Sequence, residues 1–170
     1  MRMNHIWAMP NKWTFTIKPI KRLLDEELAP YDNVVDPFAG MYSPAEIRND
    51  INPEANAEYH LEALEFLQMF DNSTVDGLIY DPPYSLTMAE RKYYYSDYEN
   101  TSSFVSQISK WKKEARRILK AGAKVVCCGW DSSGLGTKTF EKTRILLVNH
   151  GATHHDTIVT VERKVQETLE

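Results

Sequence analysis

The segment with the most definite chemistry is Asp81-Pro82-Pro83-Tyr84. It follows an apolar run of strand length at residues 75–80. Two successive prolines fix φ and remove two backbone donors, so the turn is rigid and its carbonyls point outward. A carboxylate and a carbonyl held in this way accept both hydrogens of an amino group. Tyr84 adds an aromatic face on which a planar base can stack. The pattern suits chemistry on an exocyclic amino group.

Such a turn needs a framework to aim it. Residues 1–16 are aromatic and polar and show no period. From Pro19, the spacing of Ile20, Leu23, Leu24 and Leu28 predicts a helix that Pro30 ends. Strands are expected at residues 33–36, 46–49 and 59–61, followed by a short helix at 64–70 and a strand at 75–80. Residues 85–101 are polar, rich in tyrosine and without period, and read as a long functional loop. Residues 102–120 predict a strong helix ended by Gly122, then a buried strand at 124–128. A Gly/Ser loop at 132–136 leads to a helix at 140–148, which Gly151 stops, and a last strand at 157–161. Alternating strands and helices predict an α/β fold, doubly wound and mainly parallel, of the Rossmann-like kind. Only residues 41–45 separate Gly40 from the second strand, so the first crossover is shortened. In such sheets ligands bind at the carboxyl ends of the strands. Asp36, Asp50, Glu62 and Asp81 then share one rim.

The chain of 170 residues, 42% hydrophobic, is read as a single domain over 1–170 with no separate target-recognition domain. Its net charge of -4 makes general adhesion to nucleic acid unexpected, so any such contact must come from a local basic patch. No apolar run reaches the ~18 residues of a membrane span, and the first ten residues lack a signal-peptide core. Cys127 and Cys128 are adjacent in a predicted strand and point to opposite faces, which argues against a disulfide between them. A cytoplasmic protein is expected.

Taken together, these segments resemble the S-adenosylmethionine-dependent amino-methyltransferases, in particular the DNA adenine-N6 methyltransferases in a minimal, phage-like form. Asp81-Pro82-Pro83-Tyr84 is similar to their catalytic tetrapeptide, and Asp36-Pro37-Phe38-Ala39-Gly40 to their cofactor loop. Lys18-Pro19 resembles the Lys-Pro many of them carry before the helix leading to that loop. Asp50-Ile51-Asn52 looks like the segment whose acid holds the cofactor ribose, and Glu62 like the acid near its adenine. The resemblance implies S-adenosyl-L-methionine as cofactor and methylation of adenine N6 in DNA. Guanine-N2 methylation of ribosomal RNA is the alternative reaction. A catalytically silent binding module is the alternative from another class.

Two stretches suit nucleic acid. Arg91, Lys92, Tyr93, Tyr94 and Tyr95 combine charge with stacking surfaces after the tetrapeptide. Lys112, Lys113, Arg116 and Lys120 make one predicted helix basic. DNA is the expected partner, with RNA as the alternative, and a homodimer is left open. His150, His154, His155 and Asp156 lack a ligand-pair pattern with cysteine, so no metal is assigned. If Arg91 and Lys92 contact phosphates, neutralising both should flatten the salt dependence of DNA binding by about two units of log–log slope. An unchanged slope in filter binding would remove them from the interface.

Overall fold

The computed structural model describes residues 1–93, 101–136, 138–151 and 154–165, with residues 90–93 and 101 described through their backbone alone. Seven strands, β1 (Arg2–Trp7), β2 (Val34–Asp36), β3 (Ile47–Arg48), β4 (Val75–Tyr80), β5 (Leu119–Gly129), β6 (Phe140–Asn149) and β7 (Thr157–Lys164), form one sheet in the order β1-β6-β7-β5-β4-β2-β3. Strand β7 is antiparallel to β5 and β6, and the other pairings are parallel. The helices are α1 (Lys18–Leu28), α2 (Ala63–Gln68), α3 (Leu86–Tyr93) and α4 (Thr101–Ile118). The α/β, mainly parallel architecture is the expected one. No helix among the described residues is long and apolar enough to cross a membrane.

Each face of the sheet carries its own core. Helix α1 buries Ile20, Leu23, Leu24 and Leu28 with Val126, Cys128 and Val159. Its outer face carries the i,i+4 pairs Lys21–Asp25 and Arg22–Glu26. Helices α2 and α4 cover the other face, where Phe66, Leu67, Trp111, Ala115 and Ile118 meet Leu78, Val125 and Cys127. The two cysteines are free and fall on opposite faces, as strand alternation requires.

Besides the strand expected at residues 59–61, of which only a bridge from Tyr59 to Asn49 forms, four sequence expectations are corrected. Residues 140–148 form β6 and not a helix. Ile145-Leu146-Leu147-Val148 is a continuous apolar run, and because Ile145 and Leu146, on opposite faces, are both buried, it shows no alternation to distinguish it from a buried helix. The expected loop at 85–101 begins with α3. Met88 N–H bonds to Ser85 Oγ at 3.2 Å, while Ala89 is buried and Leu86 packs against the same core. The third correction is at the end of α4, which stops at Ile118. Gly122 lies inside β5. Ser73 and Thr74 N–H groups take the carbonyls of Arg117 and Ile118, and the buried Lys164 ammonium bonds the carbonyls of Arg116 and Leu119. Fourth, β1 occupies part of the aperiodic N-terminal stretch. It is an edge strand exposed on both faces, so nothing imposes a pattern on it.

Among the described residues no helix lies between β5 and β6. The chain after β5 covers the sheet by burying Leu135, whose N–H donates to the Glu162 carboxylate at 2.8 Å. Gly134 sits at φ +60°, and a Cβ there would fall 2.3 Å from that carboxylate, itself 1% exposed. Gly134→Ala should therefore cost about 2–4 kcal/mol, from left-handed backbone strain plus displacement of a buried hydrogen-bonded acid. Urea unfolding of the variant checks this, and a loss below about 0.5 kcal/mol would contradict it.

Candidate active site

The crossover from β2 to β3 spans residues 37–46 without a helix. A parallel connection usually takes a dozen or more residues and a helix. Here the polar backbone of the short path is met by buried acids and one hydroxyl. Asp36 is fully buried at the end of β2. Its Oδ1 accepts from Phe38 N–H at 2.9 Å, and Ser43 Oγ donates to its Oδ2 at 2.6 Å. Asp50 follows β3, where its Oδ2 accepts from Gly40 N–H at 2.8 Å and its Oδ1 from Asn52 N–H at 2.9 Å. Gly40 turns the chain at φ +57°, in the left-handed region.

Burial pushes the Asp36 carboxyl up to about 8. Its bonds to Ser43 and Phe38 oppose that rise, and the nearby Asp81 and Asp50 charges add to it. Three acids therefore converge at the carboxyl ends of β2, β3 and β4, as the rim argument expects.

Two cavities open on this rim. The larger, about 390 Å³, is lined by Phe38, Asp50, Leu61, Glu62 and Trp111, with Lys110 at its edge. The smaller, about 280 Å³, is lined by Trp13, Gly40, Tyr42, Asp50, Asn52 and Asp81. Phe38 and Asp50 border both. Glu62 caps α2 by accepting Leu64 N–H at 2.6 Å, and its other oxygen accepts from Trp111 Nε1 at 2.7 Å and Gln107 Nε2 at 3.2 Å. It thus ties α2 to α4 beneath the larger cavity.

The tetrapeptide leaves β4 at this rim. Asp81 faces the smaller cavity, and Pro83 lines the larger. The Tyr84 hydroxyl donates to Asp81 Oδ1. Burial, reinforced by the Asp81 charge, holds that phenol well above its usual range, so it stays a donor. The ring, expected as a stacking face, meets Trp130 edge-on at 5.5 Å, and Trp130 in turn lies 4.4 Å from the His155 ring.

The structure brings Asp36, Pro37, Phe38, Ala39, Gly40, Asp50, Ile51, Asn52 and Glu62 to the two cavities or the loop between them. Lys18 opens α1 and lines neither cavity. Arg91, Lys92 and Tyr93 continue α3, while Tyr94 and Tyr95 lie outside the described residues. The basic helix does not present one patch. Arg116 donates to the Leu135 carbonyl at 2.6 Å, and Lys112 reaches Ser133 at 3.4 Å. Lys120 belongs to β5 and pairs with Asp76 at 2.8 Å. Asp76 is at the start of β4, roughly 16 Å along the strand from Asp81. Lys113 is exposed. Sequence reasoning missed Trp13, Tyr42, Asn49, Lys110 and Trp111 as groups at or beside the cavities. Trp111 was legible only as a core residue on an apolar helix face and Lys110 only as one of that helix's basic residues, while Trp13, Tyr42 and Asn49 carry no local signal of a cavity.

A raised folded-state pKa for Asp36 has a definite sign. The folded protein holds the proton more tightly than the unfolded chain. The stabilisation is whole below about pH 4 and is lost as pH rises through about 8. Asp36→Asn keeps an acceptor for Phe38 and offers an amide to Ser43, without that titration. Relative to this variant, wild type should lose roughly 2–4 kcal/mol of stability between about pH 5 and about pH 8. Parallel urea curves for the two proteins across that range would contradict the assignment.

The sequence matches no known protein-family profile and no curated protein significantly. Solved structures do resemble the fold. TrmN from Thermus thermophilus superposes with a TM-score of 0.60 at 14% identity, over 88% of this chain and 49% of its own length. This chain thus spans about half of that protein. N-methyltransferase NodS from Bradyrhizobium japonicum, in complex with S-adenosylhomocysteine, gives 0.57 at 14% identity, over 88% and 87% of the two chains. The 1,6-didemethyltoxoflavin-N1-methyltransferase of Burkholderia thailandensis gives 0.56 at 11% identity, over 88% and 78%. The chain has the Rossmann-like α/β fold that these methyltransferases share.

Proposed function

We propose that the protein transfers a methyl group from S-adenosyl-L-methionine to an exocyclic amino group of a nucleic-acid base, adenine N6 in DNA. One observation carries this reading: Asp81 of the rigid turn lines the same cavity as Gly40 and Asp50 of the β2–β3 loop. An amine-binding carboxylate and a tight, acid-anchored glycine turn thus open on one space. The cavities are of the size that small ligands occupy. Phe38, Leu61 and Trp111 offer apolar walls for an adenosine, and in this reading Asp50, which borders both cavities, accepts from its ribose hydroxyls.

The cofactor supplies an electrophilic methyl on a sulfonium, whose departure leaves a neutral thioether. The acceptor nitrogen is a poor nucleophile because its lone pair is delocalised into the ring. In this reading the Asp81 carboxylate and the Pro82 carbonyl accept hydrogen bonds from its two hydrogens and return electron density to it, and once the N–CH3 bond has formed one of those protons leaves through Asp81 to solvent. The Tyr84 hydroxyl fixes the carboxylate's orientation from behind. Most of the acceleration is positioning and electrostatics. Residues 1–170 act as one domain, and target preference comes from the loops at the rim.

Tritiated methyl transfer to unmethylated DNA, followed by nucleoside analysis, tests the reading, with ribosomal RNA assayed beside it. Label in N2-methylguanosine would replace the DNA assignment, and no label in either would sink it. Asp81→Ala should abolish turnover while S-adenosylhomocysteine affinity stays within about threefold. Tyr84→Phe should lower kcat by roughly 10–100-fold through loss of one hydrogen bond to a charged group. Wild-type rates in Asp81→Ala would remove the turn from the chemistry.

A further inference from the structure

Asn49 is fully buried just beyond β3. Its carboxamide makes three bonds to main chain. Oδ1 accepts from Leu61 N–H at 2.9 Å, while Nδ2 donates to the Leu61 carbonyl at 3.0 Å and to the Pro37 carbonyl at 3.1 Å. Its own N–H bonds the Asp36 carbonyl at 2.8 Å, and its carbonyl accepts from Ala39 N–H at 2.9 Å. One residue therefore joins the chain leaving β2, the end of β3 and the chain entering α2.

Leu61 meets this side chain as it would meet a peptide on a neighbouring strand, with both its donor and its acceptor. The backbone ladder at this edge is short. Strand β3 has two residues, and beyond it a single bridge links Asn49 to Tyr59. The carboxamide extends the ladder where the main chain stops. Pro37, Phe38, Leu61 and Glu62, all lining the larger cavity, belong to the two segments it holds together.

We propose that Asn49 is a positioning residue for the cofactor pocket. It lines neither cavity and acts through Pro37 and Leu61, setting the separation of two of the pocket's walls. The proposal rests on the methyl-transfer reading. No other side chain reproduces the contact. Aspartate keeps the Leu61 acceptor but turns an oxygen toward two carbonyls, alanine removes all three bonds, and glutamine places the amide one methylene too far.

Calorimetric titration with S-adenosylhomocysteine tests this on wild type, Asn49→Ala, Asn49→Asp and Leu23→Ala, below the Tm of all four. Leu23 is buried on the opposite face, so its truncation lowers stability without touching the pocket. Asn49→Ala should weaken binding about tenfold or more, and Asn49→Asp at least as much. Leu23→Ala should stay within about twofold, and kcat of Asn49→Ala at saturating cofactor should stay within about threefold of wild type. Wild-type affinity in either Asn49 variant, or an equal loss in Leu23→Ala, overturns the assignment. A wild type that binds no S-adenosylhomocysteine sinks the methyl-transfer reading and this proposal with it, whereas tight wild-type binding kept by Asn49→Ala sinks the proposal alone. If Asn49→Ala does not fold, hydrogen exchange on wild type decides. The Leu61 amide should exchange as slowly as those of β4, and loop-like exchange with and without ligand overturns the proposal.

Discussion

Between β2 and β3 the chain crosses from one strand to the next without a helix, so the main-chain groups of that span find few partners in regular structure. Buried side chains take their place. Asp36 meets Phe38, Asp50 meets Gly40 and Asn52, and Asn49 meets Pro37 and Leu61. Leaving such groups unmet in a dry interior would cost on the order of 1–3 kcal/mol each. The same residues shape the two cavities, because the path that must be satisfied is the path that walls them. Stability and site geometry are coupled here through one set of hydrogen bonds.

Electrostatics follow from that arrangement. Asp36, Asp50 and Asp81 are brought to one rim, and the most buried of them resists ionisation. The acid that holds the loop is thereby suited to remain neutral, and the acid that faces the smaller cavity is oriented by a phenol that keeps its proton. The environments separate one acid's structural work from the other's exposure to a ligand.

The opposite end of the molecule uses the same device. Among the described residues no helix separates β5 from β6; the loop over the sheet is anchored on the buried Glu162, and the end of α4 on the buried Lys164. Arg116, which composition alone places in a basic patch, is drawn into this region by the Leu135 carbonyl. A shared fold with these solved structures at 11–14% identity therefore coexists with two connections that hold no helix among the described residues, each closed by side-chain chemistry.

The sequence by itself determined the α/β alternation, α1 and α4 as amphipathic helices, and the acids that meet at one rim. Apolar period and turn chemistry are local properties, and the carboxyl ends of parallel strands are adjacent wherever the sheet closes. It misread β6 as a helix because an apolar run buried on both faces carries no period. It missed the start of α3, where the two core residues Leu86 and Ala89 stand in a polar stretch. Only the tertiary structure decided which acids serve the chain and which face a cavity, since burial and partners depend on distant segments. Only it showed Lys120 at the far end of the sheet from Asp81, because α4 gives way to β5 before that residue. Asn49 is the clearest case: nothing local marks it, and its role comes from Leu61 and Pro37, each twelve residues away in the chain.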